Sequence, residues 1–256
     1  GGRDNGGPSG QSFMSSPAFQ KLLIIGGIII ALYIVDLVLN GTASMIRKAI
    51  EWGTFVPAML IALTVHEYSH ARVADFLGDP TARYRGRLSL DPRRHLDLWG
   101  TLLLFTAGFG WAKPVPVDPA NFRVPARAMF FVSLAGPVSN LILALLGGLL
   151  LKIGVMSFAS TSGDSLTQLL LMVFCQTFII MNLGLAFFNL LPVPPLDGHH
   201  LLEFFLSAKQ KYTFRMYHDV GIFILMILVV FNFIGVIIGP LVGGSYKLIL
   251  QLFHLV

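Results

Sequence analysis

Apolar residues in this chain come in long unbroken runs, not in the alternation of a half-buried strand or the three-and-four spacing of a half-exposed helix. Runs at 22–39, 53–77, 128–151, 166–191 and 221–239 approach or exceed the roughly 20 residues that carry a helix across a bilayer core. A shorter one, 241–256, is interrupted by Gly243, Gly244 and Lys247. A transmembrane barrel would instead show alternating segments of about 10 residues. The expected fold is an all-α polytopic membrane protein with about six transmembrane helices, because a helix satisfies its backbone internally where water is absent.

The stretch between the second and third runs, residues 78–127, has a different texture. Arg83, Arg85 and Arg87 alternate with Tyr84, Gly86 and Leu88, the period of a strand with one polar face. Residues 98–112 are apolar but too short to cross a bilayer, which points to a re-entrant or interfacial segment. In KPVPVDP (113–119) each proline drives its predecessor towards extended backbone. The reading is a membrane-associated β-strand and re-entrant segment between spans 2 and 3. Such backbone lies at membrane depth only beside protein or a water-filled cavity.

The composition, 55% hydrophobic and 12% charged, agrees with a membrane protein. The net charge of +5 says less than its distribution. Arg and Lys crowd the segment before span 1, the 83–127 stretch and the 209–215 loop, while alternate loops hold only Arg47, Lys48 and Lys152. The positive-inside rule then puts the N-terminus in the cytoplasm, with the chain in the cell membrane. The lone Cys175 excludes an intramolecular disulfide and a cysteine-based metal site. The Gly/Ser-rich start is set apart as a disordered tail or cloning scar over 1–20, followed by one membrane-embedded domain over 21–256 with its core at 53–205.

Into the second run fall two histidines and a glutamate, in HEYSH (66–70). His66 and His70, four apart, share a helix face with Cβ atoms about 5–6 Å apart, close enough to bind one metal. Glu67 stands one position round, where H-E-x-x-H places the general base that activates a water. The competing reading is a set of buried polar residues bonded between helices, but ionisable groups inside a span are costly and mark function by default. A catalytic zinc takes three protein ligands. Asp197, in NLLPVPPLDG (189–198) where prolines break span 4, is the best third donor. It could instead cap the following helix, and His199 and His200 are rivals for the position. Asn140, in LAGPVSN (134–140), could donate to a developing oxyanion or simply bond another helix.

HEYSH, AGPVSN and NLLPVPPLDG resemble, in order and spacing, the site-2 protease family of intramembrane zinc metalloproteases. GFGWAKPVPVDPANFR (108–123) is similar to the segment those proteins carry between the first two motifs. The likeness covers about 53–205 and is closest to minimal-core members without PDZ or CBS domains. It implies one Zn2+ per chain held by His66, His70 and Asp197, Glu67 as catalytic base, and Asn140 at the substrate or oxyanion. It also implies cleavage of a peptide bond within or near a transmembrane segment, in regulated intramembrane proteolysis. The substrate would be an anti-sigma factor, a membrane-tethered transcription regulator or a remnant signal peptide, met in the lipid bilayer with no nucleic acid involved. LDGHHLLE departs from the usual pattern, where many relatives have a second small residue and an arginine after Asp-Gly.

Two other classes compete. A metal-ion transporter or channel would need polar residues at several depths, and spans 1, 3, 5 and 6 offer little beyond Asp36, Asn140 and Asn232. A catalytically inactive binder of client helices would tolerate loss of H-E-x-x-H, which is intact here. A zinc protease of the prenyl-protein type would use a glutamate as third ligand, and Glu203, the sole later one, lies about two helical turns beyond Asp197.

Overall fold

The computed structural model describes residues 17–98, 100–101, 112–159, 165–216 and 218–256. The chain divides into two compact units, Gly1–Trp52 and Gly53–Val256. Helix α1 (Pro17–Phe76) contributes to both. Within the first unit it leaves helical geometry at Gly41, whose φ of 74° suits a residue without a Cβ, and Ser44 Oγ donates to the Gly41 carbonyl at 2.9 Å.

The second unit is helical throughout its longer elements. After α1 come α2 (Thr81–Tyr84), α3 (Pro125–Ala159), α4 (Ser165–Asn189), α5 (Gly198–Phe205), α6 (Ala208–Met216), α7 (His218–Val230) and α8 (Phe233–Leu252). Its apolar core joins α3, α4 and α8 through Ala144, Leu151, Cys175, Ile179, Leu183 and Ile249. Small residues set the helix separations. A Cβ on Gly147 would stand 2.8 Å from Ile179, and one on Gly148 would stand 2.5 Å from Ile249. The opposite flank of α3 exposes Ile142, Leu145, Leu149, Leu150 and Ile153. A stripe of that kind suits acyl chains and not water.

Four helical stretches among the described residues are long and apolar enough to cross a membrane: Ser44–Phe76, Pro125–Ser157, Leu166–Asn189 and Phe233–Leu252. The chain is an integral membrane protein, and among the described residues the expectation of six spans is corrected to these four. The reason lies at Asn232, which takes φ 55° and splits the apolar run 221–239. The run therefore becomes the end of α7, whose apolar part Val220–Val229 is too short to span, and the start of α8. The expected first span, 22–39, lies in the part of α1 where most side chains are outside the described set.

The strand expected around 82–90 is also corrected, since the described residues hold no ladder beyond an isolated antiparallel bridge between Leu96 and Ala112. Asp79 Oδ1 accepts from the amide and hydroxyl of Thr81 and starts a helical turn instead. That turn closes when Gly86 at φ 65° lets its amide bond Arg83 O and the Arg87 amide bond Ala82 O, a Schellman closure. The alternation of arginines thus reflects a turn and its cap. Residues 113–118 form no regular element. Most of the run expected to be re-entrant, at 99 and 102–111, lies outside the described residues.

Candidate metal centre

Helix α1 presents His66 and His70 on one face, with rings edge to face at 4.6 Å and both side chains buried. Their Nε2 atoms lie 3.0 Å apart. Opposite them the proline-broken end of the α4 connection delivers Asp197, whose Oδ2 is 3.2 Å from each Nε2. Asp197 occupies the cap position of α5 yet makes no side-chain capping bond, so its carboxylate serves the histidines. Gly198 is required beside it, because a Cβ there would meet the carbonyl oxygens of Leu190 and Leu191 at 2.3 and 2.4 Å.

Helix α3 supplies none of these three donors but aims two of them. The His66 Nδ1–H donates to Asn140 Oδ1 at 2.6 Å, and the His70 Nδ1–H donates to Val132 O at 2.7 Å. Pro137 lacks the N–H that would bond Ser133 O, which loosens α3 one residue from the carbonyl that His70 uses. Asn140 is fully buried, and its amide hydrogens go to Ala62 O at 3.2 Å and Asn182 Oδ1 at 2.8 Å. Asn182 in turn donates to Phe178 O. Asn182 and Val132 were missed in the sequence, where an isolated Asn in a span and a backbone carbonyl carry no motif.

Carbonyl oxygens only accept, so each imidazole in its neutral, metal-binding form carries its hydrogen on Nδ1 and a lone pair on Nε2. Neither nitrogen has a hydrogen to give the other or Asp197. Asp197 Oδ2 is buried without a hydrogen-bond partner. Two lone pairs and a carboxylate oxygen within 4.8 Å of one another repel unless a cation lies among them. Two imidazoles and a carboxylate are donors that zinc accepts, each imidazole fixed through its other nitrogen. The residues fit the metal.

Glu67 adjoins this group and accepts from the Val115 amide at 3.0 Å. Segment 113–118 is tied down at both ends. Arg87, 8% exposed, donates through Nη2 to Lys113 O and to Pro114 O at 3.2 Å. Burial pulls its guanidinium below the ordinary value, and the nearby Glu67 carboxylate opposes that pull. At the other end Asp79 Oδ2 accepts from the Asp118 amide at 2.8 Å and Oδ1 from Asn121 Nδ2 at 2.7 Å. Burial alone would raise the Asp79 carboxyl, but the bonds from Thr81, Asp118 and Asn121 outweigh it and hold the group below the usual carboxylate range.

The rivals for the third donor lie elsewhere. His199 Nδ1 donates to Leu196 O, and His200 faces Glu203 at 3.8 Å on a cavity of about 240 Å3. Burial and the charge of neighbouring His199 lower the His200 imidazole to about 4.

Residues 152–231, which include Asp197, match the family model described as peptidase family M50. YwhC of Bacillus subtilis, named as a candidate zinc metalloprotease, is 39% identical over 202 residues, covering 77% of this chain and 90% of that protein. The chain belongs to peptidase family M50. Rip2 of Mycobacterium tuberculosis strain Erdman is 36% identical over 168 residues, covering 62% of this M50 chain and 61% of its own length. Rip2 of Mycolicibacterium smegmatis is 28% identical over 195 residues, 73% and 72% of the two chains. Both carry the same kind of name. No solved structure matches the M50 chain. It is a membrane-embedded metalloprotease that uses Zn2+.

Proposed function

We propose that this M50 protease hydrolyses a peptide bond within or near a transmembrane segment of another membrane protein, as a single membrane-embedded domain. His66, His70 and Asp197 hold the zinc, and Glu67 is the general base. The observation that carries the reading is the convergence of half-buried Asp197 on two buried histidines that lie beside Glu67 on a helix apolar enough to span. Zinc, when bound, supplies Lewis-acid polarisation of water and of the scissile carbonyl.

The chain's own residues supply the remaining steps. Glu67 takes a proton from the attacking water and passes it to the leaving amine, a role its position next to His66 supports. Asn140 fixes the tautomer and ring angle of His66, and because both its amide hydrogens bond Ala62 and Asn182 it acts through that histidine. A transmembrane helix must unwind before its carbonyl is accessible, and the irregular segment 113–118 beside Glu67 gives the unwound stretch a backbone edge. The charge distribution supports a cytoplasmic N-terminus in the cell membrane. An anti-sigma factor, a tethered transcription regulator or a remnant signal peptide fits a site of this kind, in regulated intramembrane proteolysis.

The test is metal content per purified chain by elemental mass spectrometry, together with cleavage of a Leu/Ala-rich transmembrane peptide carrying a central Gly-Pro and a fluorophore–quencher pair. Wild type should hold about one zinc and His66→Ala and Asp197→Ala should lose it. Glu67→Gln should keep the zinc and lose about 100-fold or more in kcat. Near-normal turnover by Glu67→Gln, or full zinc in Asp197→Ala, would refute the assigned roles.

A further inference from the structure

Arg87 is a buried cation without a carboxylate in hydrogen-bonding contact among the described residues, and its Nε has no hydrogen-bond partner. Its Nη2 reaches two consecutive backbone carbonyls, Lys113 O and Pro114 O. The second of these is decisive. Pro114 C=O and Val115 N–H are the two ends of one planar peptide group, in which oxygen and hydrogen point in opposite directions. Arg87 grips the oxygen end and Glu67 Oε2 the hydrogen end at 3.0 Å. A cation on the oxygen and an anion on the hydrogen polarise the same amide and strengthen both bonds.

We propose that Arg87 is a positioning residue for Glu67, acting through the single Pro114–Val115 peptide group that it holds by the carbonyl while Glu67 holds the amide. The proposal rests on Glu67 being the base. A carboxylate held at Oε2 has a fixed plane, leaving Oε1 to meet water in one orientation. The segment itself has little else to fix that plane. Prolines at 114 and 116 leave Val115 the sole backbone N–H donor of residues 114–116. Asp79 anchors the far end at Asp118 and His95 O holds the Lys113 amide at 2.8 Å, so removing Arg87 loosens the Pro114–Val115 peptide between two anchored ends while 118–121 stays in place.

Two measurements on the full chain test this. The first needs no substrate: hydrogen exchange of the Val115 amide by mass spectrometry, in wild type, Arg87→Ala, Arg87→Lys and Glu67→Ala. Exchange should quicken about 10-fold or more in Arg87→Ala and in Glu67→Ala, with Arg87→Lys between, while zinc content and the protection of α1 and α3 are retained. The second is the kcat and KM split with the quenched transmembrane peptide. Arg87→Ala should lower kcat about 10-fold or more and move KM less than about 3-fold, Arg87→Lys should recover part, and Val115→Pro with Arg87→Ala should be no worse than Val115→Pro alone.

Unchanged Val115 exchange in Arg87→Ala, loss of zinc in that variant, or a rise in KM at constant kcat would each overturn the proposal. Glu67→Gln separates the two levels. If it retains turnover, the base assignment falls. If it is inactive while Arg87→Ala turns over normally, the base stands and Arg87 does not position it.

Discussion

Gly136→Ala puts one methyl group where helix α3 passes the two imidazoles. A Cβ at this position would lie 2.4 Å from His70 Nε2, 2.5 Å from His66 Cε1 and 2.6 Å from His70 Cε1. Ordinary contact begins at 3.4 Å, so the nearest imidazole atom must retreat by about 1 Å. Neither ring is free to do so, since His66 is held at Nδ1 by Asn140 and His70 by Val132 O. Zinc–nitrogen distances tolerate only about 0.2 Å, so a shift several times larger removes at least one donor. Loss of orienting partners alone typically lowers metal affinity about 10- to 100-fold, and the displaced donor adds to that. Overpacking also costs about 1–3 kcal/mol of stability. The assay is competition against a chelator of known affinity, followed by zinc per chain and a thermal melt of the metal-free protein. Gly136→Ala should bind zinc at least about 100-fold more weakly while its metal-free Tm falls only modestly. Wild-type affinity in this variant would refute the reasoning, because it would mean that the imidazoles move aside without loss.

Further outcomes follow from the surrounding contacts. Asn182→Leu leaves an Asn140 amide hydrogen without its acceptor, so stability should fall by about 1–3 kcal/mol in denaturant melts and zinc affinity by about 10-fold in chelator competition. Asp79→Asn should lower the Tm at neutral pH by an amount equivalent to about 1.5–3 kcal/mol, since a charged acceptor of four bonds is lost. The sign of its pH dependence is set by the depressed carboxyl. The contribution of Asp79 is complete above the unfolded value of about 3.9 and is lost as pH falls below it, so the Tm gap between variant and wild type should close in acid. Gly198→Ala drives a methyl group into two backbone carbonyls that cannot yield as side chains do, so the purified variant should carry well under one zinc per chain.

The grouping of His66, His70 and Asp197 was legible because each of its parts has a local signature. His66 and His70 need only helical spacing, and Asp197 stands out as a carboxylate where prolines break an apolar run. What orients these groups was illegible for an equally physical reason. Val132 acts through its carbonyl, Asn182 touches the site through Asn140, and Arg87 reaches Glu67 through one peptide group; none of these contacts leaves a residue-type pattern. The arginines at 83, 85 and 87 had strand period, but Asp79 and Gly86 impose a capped turn that a two-residue alternation cannot reveal. The run 221–239 read as one span because every residue but Asn232 is apolar or small, and a single left-handed residue divides it.

The Pro114–Val115–Pro116 triplet has a consequence for register. Glu67 meets a backbone hydrogen at Val115, and a slip by one residue in either direction would present a proline ring with no hydrogen at all. A segment misaligned by one residue therefore leaves Glu67 unpaired, and only a slip of two, to Lys113 or Val117, would bring another backbone hydrogen to it. The triplet works as an address of one permitted position between two blank ones. Any residue with a backbone hydrogen that suits extended geometry can occupy the permitted position, whereas replacing either neighbouring proline would make the address ambiguous.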